Sequence, residues 1–232
     1  MLDRNHLLAE KICSADFCTK SFELLQKWQR QRLAGNYSDL MEQESYRRAC
    51  DFFLTELYGG LDFLKRDQDM NRVMPVMERL LPDKVLMSLA AAFELQAISL
   101  EFDMKMAQIM ESNAVGELDV PVYTLVYQAC GDRPKREKQI LLIRQLGIDL
   151  TRLVDKPLVT QLVRLTRGPA RAAGFGKLQD FLETGLLSFR GLQDSAFFID
   201  TIYQREWLNM QMLFAGSNDP FHSKVQPKCC SR

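Results

Sequence analysis

The chain holds only two histidines, His6 and His222, and both lie near its ends. Histidine is the commonest metal ligand and the usual proton carrier near neutral pH, so most histidine-based sites are excluded at the outset. Six cysteines are present (13, 18, 50, 130, 229 and 230), yet no Cys-x-x-Cys pair occurs and no histidine interleaves with them. That removes the spacing a structural zinc requires. Net charge is also lacking, with 30 basic residues against 30 acidic ones, which argues against a wholesale polyanion binder. Long apolar runs are missing as well. The uncharged stretch Val85–Phe93 falls well short of the roughly 20 residues a membrane span needs and predicts a buried helix. At the N-terminus charges recur every few residues, so the apolar core of a signal peptide cannot form. The expected location is the cytoplasm.

Period-two alternation is scarce too. Val120–Val126 is the best strand candidate, and it is short. What the chain has instead is helical periodicity, on a composition of 47% hydrophobic and 26% charged residues that suits a folded protein. The segment from about Ala15 to Leu33 places Phe17, Leu24, Leu25 and Trp28 on one face. From about Glu42 to Tyr58, apolar residues follow the i, i+3, i+4 pattern until Gly59-Gly60 stops them. A third helix is predicted over Arg66–Leu81 and the longest over Asp83–Glu111. Further helices are predicted over 120–130, 135–154, from Pro157 to about Gly168-Pro169, around Phe175–Phe189, and over 194–214. The prediction is therefore an all-α, single-domain bundle of about eight helices covering 1–216. Phe53, Phe93 and Leu182 belong to its interior, a subdomain boundary is allowed near 113–119, and 217–232 form a flexible tail.

Two stretches carry a family resemblance. One runs Phe52-Phe-Leu-Thr-Glu-Leu-Tyr-Gly59 through Asp62-Phe63 and Arg66-Asp67-x-Asp69-x-x-Arg72-Val73-x-Pro75-x-Met77. The other is Arg164-Leu-Thr-Arg-Gly-Pro-Ala-Arg-Ala-Ala-Gly174, followed by Leu178-Gln-Asp-Phe-Leu-Glu183. From about residue 40 to 210 the chain resembles a family of uncharacterised bacterial proteins. The resemblance implies a cytosolic bacterial setting and no known activity.

Two clusters are candidate binding sites. Asp62, Arg66, Asp69 and Arg72 crowd around a turn and a helix start, where they either hold a polar ligand or tie the loop to the helix. Arg164, Arg167 and Arg171 punctuate a segment rich in small residues, and arginine forks suit carboxylates and phosphates. The alternative for this second cluster is close helix packing, with the arginines bridging to acids. No phosphate-loop motif accompanies it.

Charge is neutral overall but bipolar along the chain. Residues 133–177 carry eleven basic residues against three acidic, and 40–120 carry fifteen acidic against eight basic. Either the two stretches neutralise each other inside the fold, or the basic one faces an acidic partner. Aromatic residues do not interleave with the basic ones, which disfavours nucleic acid. Glu94 and Glu101 share a helix face, but the Glu-x-x-His pairs of a di-iron site are absent. These features lead to a non-enzymatic helical interaction or regulatory protein with a protein partner or self-association, no cofactor, no metal and no membrane. The alternatives are a small-anion or nucleotide sensor built on the arginine segment, with the Asp62–Arg72 cluster as a second polar site, or an enzyme of unknown type.

Overall fold

The computed structural model describes residues 2–53, 83–172 and 176–221. The helix predicted over Arg66–Leu81, the end of the one before it, and most of the predicted tail lie outside the described residues. Among the described residues the fold is all-α, with ten helices and no strand. They are α1 (Leu2–Ile12), α2 (Thr19–Asn36), α3 (Ser38–Met41), α4 (Glu44–Phe52), α5 (Asp83–Ser112), α6 (Val120–Cys130), α7 (Arg133–Val154), α8 (Pro157–Ala172), α9 (Gly176–Arg190) and α10 (Ser195–Phe214).

Local chemistry explains several boundaries. Asp119 caps α6 by accepting from the Val122 amide at 2.9 Å, and Pro121 sits in the first turn, where its missing N–H costs no hydrogen bond. Gly131 and Asp132 then turn the chain with φ of 64° and 59°. Glycine takes that left-handed backbone freely, and aspartate tolerates it better than most residues. Asp132 in turn caps α7 through the Lys135 amide at 3.2 Å, and Asp194 caps α10 through the Phe197 amide at 2.8 Å.

Two sequence expectations are corrected, at the N-terminus and at Gly168-Pro169, and one is upheld. The N-terminal residues form a helix of their own, α1, whose Leu8, Ala9 and Ile12 pack against Phe22, Ala97, Met104 and Ala107. Val120–Val126, the best strand candidate, is helical as the prediction over 120–130 has it, because its apolar residues face α5 and α10 rather than alternating between two faces. The helix beginning at Pro157 runs through Gly168-Pro169 to Ala172. Arg167 and Arg171, on either side of that dipeptide, are tied to Glu183 and Asp180 of α9, and this tertiary support outweighs the local breaker signal.

Helix α5 is the axis of the molecule, packed by α1, α2, α6 and α7. It is long and apolar enough to cross a membrane by length and composition alone. Its Glu94, however, pairs with Lys138, and its Glu101 with Lys135 at 2.5 Å and Arg4 at 2.7 Å. The two lysine contacts join the acidic stretch of the sequence to the basic one. The central core is Leu25, Ile98, Phe102, Met106, Met110, Tyr123, Tyr127, Met210 and their neighbours. Phe93 is buried; Phe53 and Leu182 are half-buried.

Candidate functional site

The sequence-derived clusters fare differently. Asp62, Arg66, Asp69 and Arg72 lie outside the described residues. Arg167 and Arg171 face α9, where Arg167 pairs with Glu183 and Arg171 with Asp180 at 2.7 Å. The Arg167 guanidinium holds the Glu183 carboxyl down at about 2, helped by the Gln179 amide. Arg164 stands apart from those two pairs. It lines an open groove of about 330 Å³ together with Asp155, Pro157, Thr160, Gln161 and Arg190. The helix packing thus separates three arginines that are adjacent in sequence.

A different set of polar residues converges inside the bundle. Helix α2 buries Phe22, Leu25 and Leu33 along one stripe, and Gln29 falls on that same stripe. On α7 the inward stripe begins Arg136, Gln139, Ile140; on α10 it reads Phe198, Thr201, Arg205, Asn209, Leu213. Where these stripes meet α5, they enclose a cavity of about 50 Å³ walled by Gln29, Arg32, Ser99, Asp103, Tyr123, Tyr127, Arg136, Gln139, Glu206 and Asn209 among others. A space of that size has room for a few water molecules or one small polar ligand.

Charge on the walls is unevenly satisfied. On one side Arg32 pairs with Glu206 at 2.8 Å, and Glu206 also accepts from the Tyr37 hydroxyl at 2.8 Å. The other cation on the cavity wall is Arg136, only 6% exposed. Its guanidinium stacks 3.5 Å from the Phe102 ring centroid and 4.4 Å from that of Tyr127. Nη1 donates to Gln139 at 3.2 Å and Nη2 to the Met106 sulfur at 3.2 Å, while Nε has no protein partner. No carboxylate lies within 4.0 Å of it among the described residues. Cation–π stacking on two rings offsets part of the cost of burying the charge, but a neutral amide and a thioether are weak company for a guanidinium.

Asp103, lining the same cavity, is part-buried and accepts from Gln29 Nε2 at 3.2 Å. Loss of solvent raises its carboxyl to about 6, against the pull of the Gln29 and Gln26 amides and of Arg136. Gln139 links the two sides to α5 by donating to the Ser99 hydroxyl at 2.8 Å. Chemically the cavity wall carries one charge of each sign outside any ion pair, Arg136 and Asp103, with ambivalent amides beside them. No group of three or more His, Cys, Asp or Glu suited to a metal occurs among the described residues. Among the cysteines, burial pushes the Cys50 thiol up to about 12 and raises that of Cys130.

Sequence reasoning counted Arg136 only as one of eleven basic residues. The available signal was its position, since it sits three and four residues before Gln139 and Ile140 on the buried stripe of α7. No curated protein and no solved structure matches the sequence. A family model does match, over residues 14–220. With that match spanning nearly the whole described bundle, the chain belongs to the family described as a domain of unknown function, DUF8198.

Proposed function

We propose that this is a non-enzymatic, ligand-responsive regulatory protein that binds a small anion in its interior cavity. The observation that carries the reading is Arg136, a guanidinium 6% exposed, aimed into a cavity, with a free Nε and no carboxylate within 4.0 Å among the described residues. Buried charges in folded proteins are normally paired, and an unmet donor at a cavity wall marks a place for an acceptor from outside the chain. The small-anion alternative from the sequence is thereby kept but moved from the Arg164–Arg171 segment to Arg136. The non-enzymatic reading draws on the buried thiols of Cys50 and Cys130, both raised by loss of solvent, which disfavours thiolate chemistry at those two residues. The ligand acts by stabilising one packing of α2, α5, α7 and α10, whose outer faces would meet a protein partner or a second copy.

Thermal unfolding of the full chain tests this in sodium nitrate, formate or hydrogen carbonate, against sodium gluconate of equal ionic strength. Gluconate is too large for the cavity. A small anion is expected to raise the Tm of the wild-type chain and of Arg167→Ala, but not of Arg136→Gln. Direct titration of the wild-type chain with the same salts should show saturable one-to-one binding, whatever the folding of the Arg136 variant. Absence of any anion-specific shift and binding, or an equal shift in Arg136→Gln, overturns the reading.

A further inference from the structure

The charges around the cavity say more about the ligand than its sign. Four charged side chains line it, two of each kind. Arg32 and Glu206 neutralise each other at 2.8 Å. Arg136 and Asp103 remain, and although both face the same 50 Å³ they form no ion pair within 4.0 Å. A ligand that reaches both must therefore offer an acceptor oxygen to Arg136, whose Nε is unmet, and a hydrogen to Asp103. An anion without a hydrogen, such as nitrate or chloride, would set its own charge against the Asp103 carboxylate, and like charges brought close out of water repel strongly.

Resting on the anion-site reading above, we infer that the ligand is a small hydrogen-bearing oxyanion of the size and planar shape of hydrogen carbonate, held by Arg136 through its oxygens and by Asp103 through its hydroxyl. The volume excludes bulkier anions such as nucleotides. The remaining walls fit the same occupant. Gln29 and Gln139 present amides that donate or accept, and the Ser99 hydroxyl adds a rotatable group. Tyr123 and Tyr127, 2% and 5% exposed, screen the site from bulk water, which strengthens each of these polar contacts. Selectivity then comes from geometry: a site built to receive a hydroxyl rejects the isostere that lacks it, because Asp103 would be left facing a second anion.

The test is titration of the full chain at pH 8 with sodium hydrogen carbonate, sodium nitrate and formamide. At that pH hydrogen carbonate is the main species, and Asp103 is ionised. Hydrogen carbonate should bind at least about tenfold tighter than nitrate, the difference expected of one charged hydrogen bond. In Asp103→Asn, a near-isosteric change that replaces the carboxylate with an amide able to donate, that preference should vanish or invert. Nitrate binding as tightly as hydrogen carbonate to the wild-type chain would overturn the hydroxyl assignment while leaving the anion site standing. An unchanged preference in Asp103→Asn would do the same. Binding of formamide alone would assign the cavity to a neutral amide and overturn both readings, as would binding of none of the three.

Discussion

Arg205 and Asp39 are separated by 166 residues of sequence, yet the guanidinium of one grips the carboxylate of the other with two bonds of 2.7 and 2.6 Å. Arg205 lies on α10 and is almost fully buried, whereas the Asp39 side chain, on the short helix α3, is 49% exposed. A further bond from Arg205 to the Asn36 carbonyl at 2.8 Å holds the end of α2 in the same grip. Next to it, Glu206 takes Arg32 and Tyr37. Two consecutive residues of α10 thus fix the corner where α2 passes into α3, and with it the position of Gln29 and Arg32 at the cavity.

Removing the acid from this corner is the first prediction. Asp39→Ala leaves the Arg205 cation buried with only the Asn36 carbonyl and the Tyr37 ring for company, and should cost about 2–3 kcal/mol in thermal or denaturant unfolding. The wild-type pair also carries a pH signature. Arg205 holds the Asp39 carboxyl below the usual carboxylate range. Its contribution is therefore present above the ordinary carboxylate pKa and is lost as pH falls through the lowered one. A loss under roughly 0.5 kcal/mol would place the pair among ordinary surface ion pairs.

Close helix contact supplies the second. A Cβ on Gly147 would stand 2.9 Å from Ile199 Cγ1 and 3.3 Å from its Cδ1, so α7 and α10 approach as nearly as they do because residue 147 has no side chain. Gly147→Ala should destabilise by about 1–2 kcal/mol, an overpacking cost of ~1–3 kcal/mol less the helix propensity gained. Gly35→Ala is the control: nothing lies within 4 Å of its added methyl. That variant should be neutral or gain up to about 1 kcal/mol. Equal melting temperatures for the two variants would show that the α7–α10 contact is not tight.

The third concerns Asp103 without any ligand. Its carboxyl titrates at about 6 in the folded chain, against 3.8 for an unhindered one, so between these values the folded state binds the extra proton. Stability should accordingly be full below about pH 4 as far as this group is concerned and fall as pH rises through 6, by the order of 2–3 kcal/mol. Asp103→Asn should remove that fall and leave the chain relatively more stable at pH 7. A wild-type and a variant profile that run parallel from pH 4 to 7 would contradict the placement of Asp103.

Helices were legible in the sequence wherever an apolar stripe ran for three or more turns. Tyr46, Ala49 and Cys50, or Phe93, Ala97, Met104 and Ala107, repeat at a spacing that only a helix can bury on one side. The turn at Gly131-Asp132 was equally plain, since its backbone conformation restricts the residue type. Helix α1 was overlooked because its stripe of Leu8, Ala9 and Ile12 is short and lies among charges. The run of α8 through Gly168-Pro169 depends on partners in α9 that no local pattern announces.

The site was harder to see for the same reason. Each of Gln29, Arg136 and Asn209 looks, within its own helix, like one polar residue interrupting an apolar face, and such interruptions are common. Amphipathic periodicity by itself determined that this protein is a bundle of helices and which face of each turns inward, because burying an apolar stripe is a property of one helix. Only the tertiary packing decided the axial register between helices. That register sets the polar positions of α2, α5, α7 and α10 at one level, brings Arg136 and Asp103 to one cavity and spends Arg167 and Arg171 on α9, because which charges meet depends on distances that no single segment encodes.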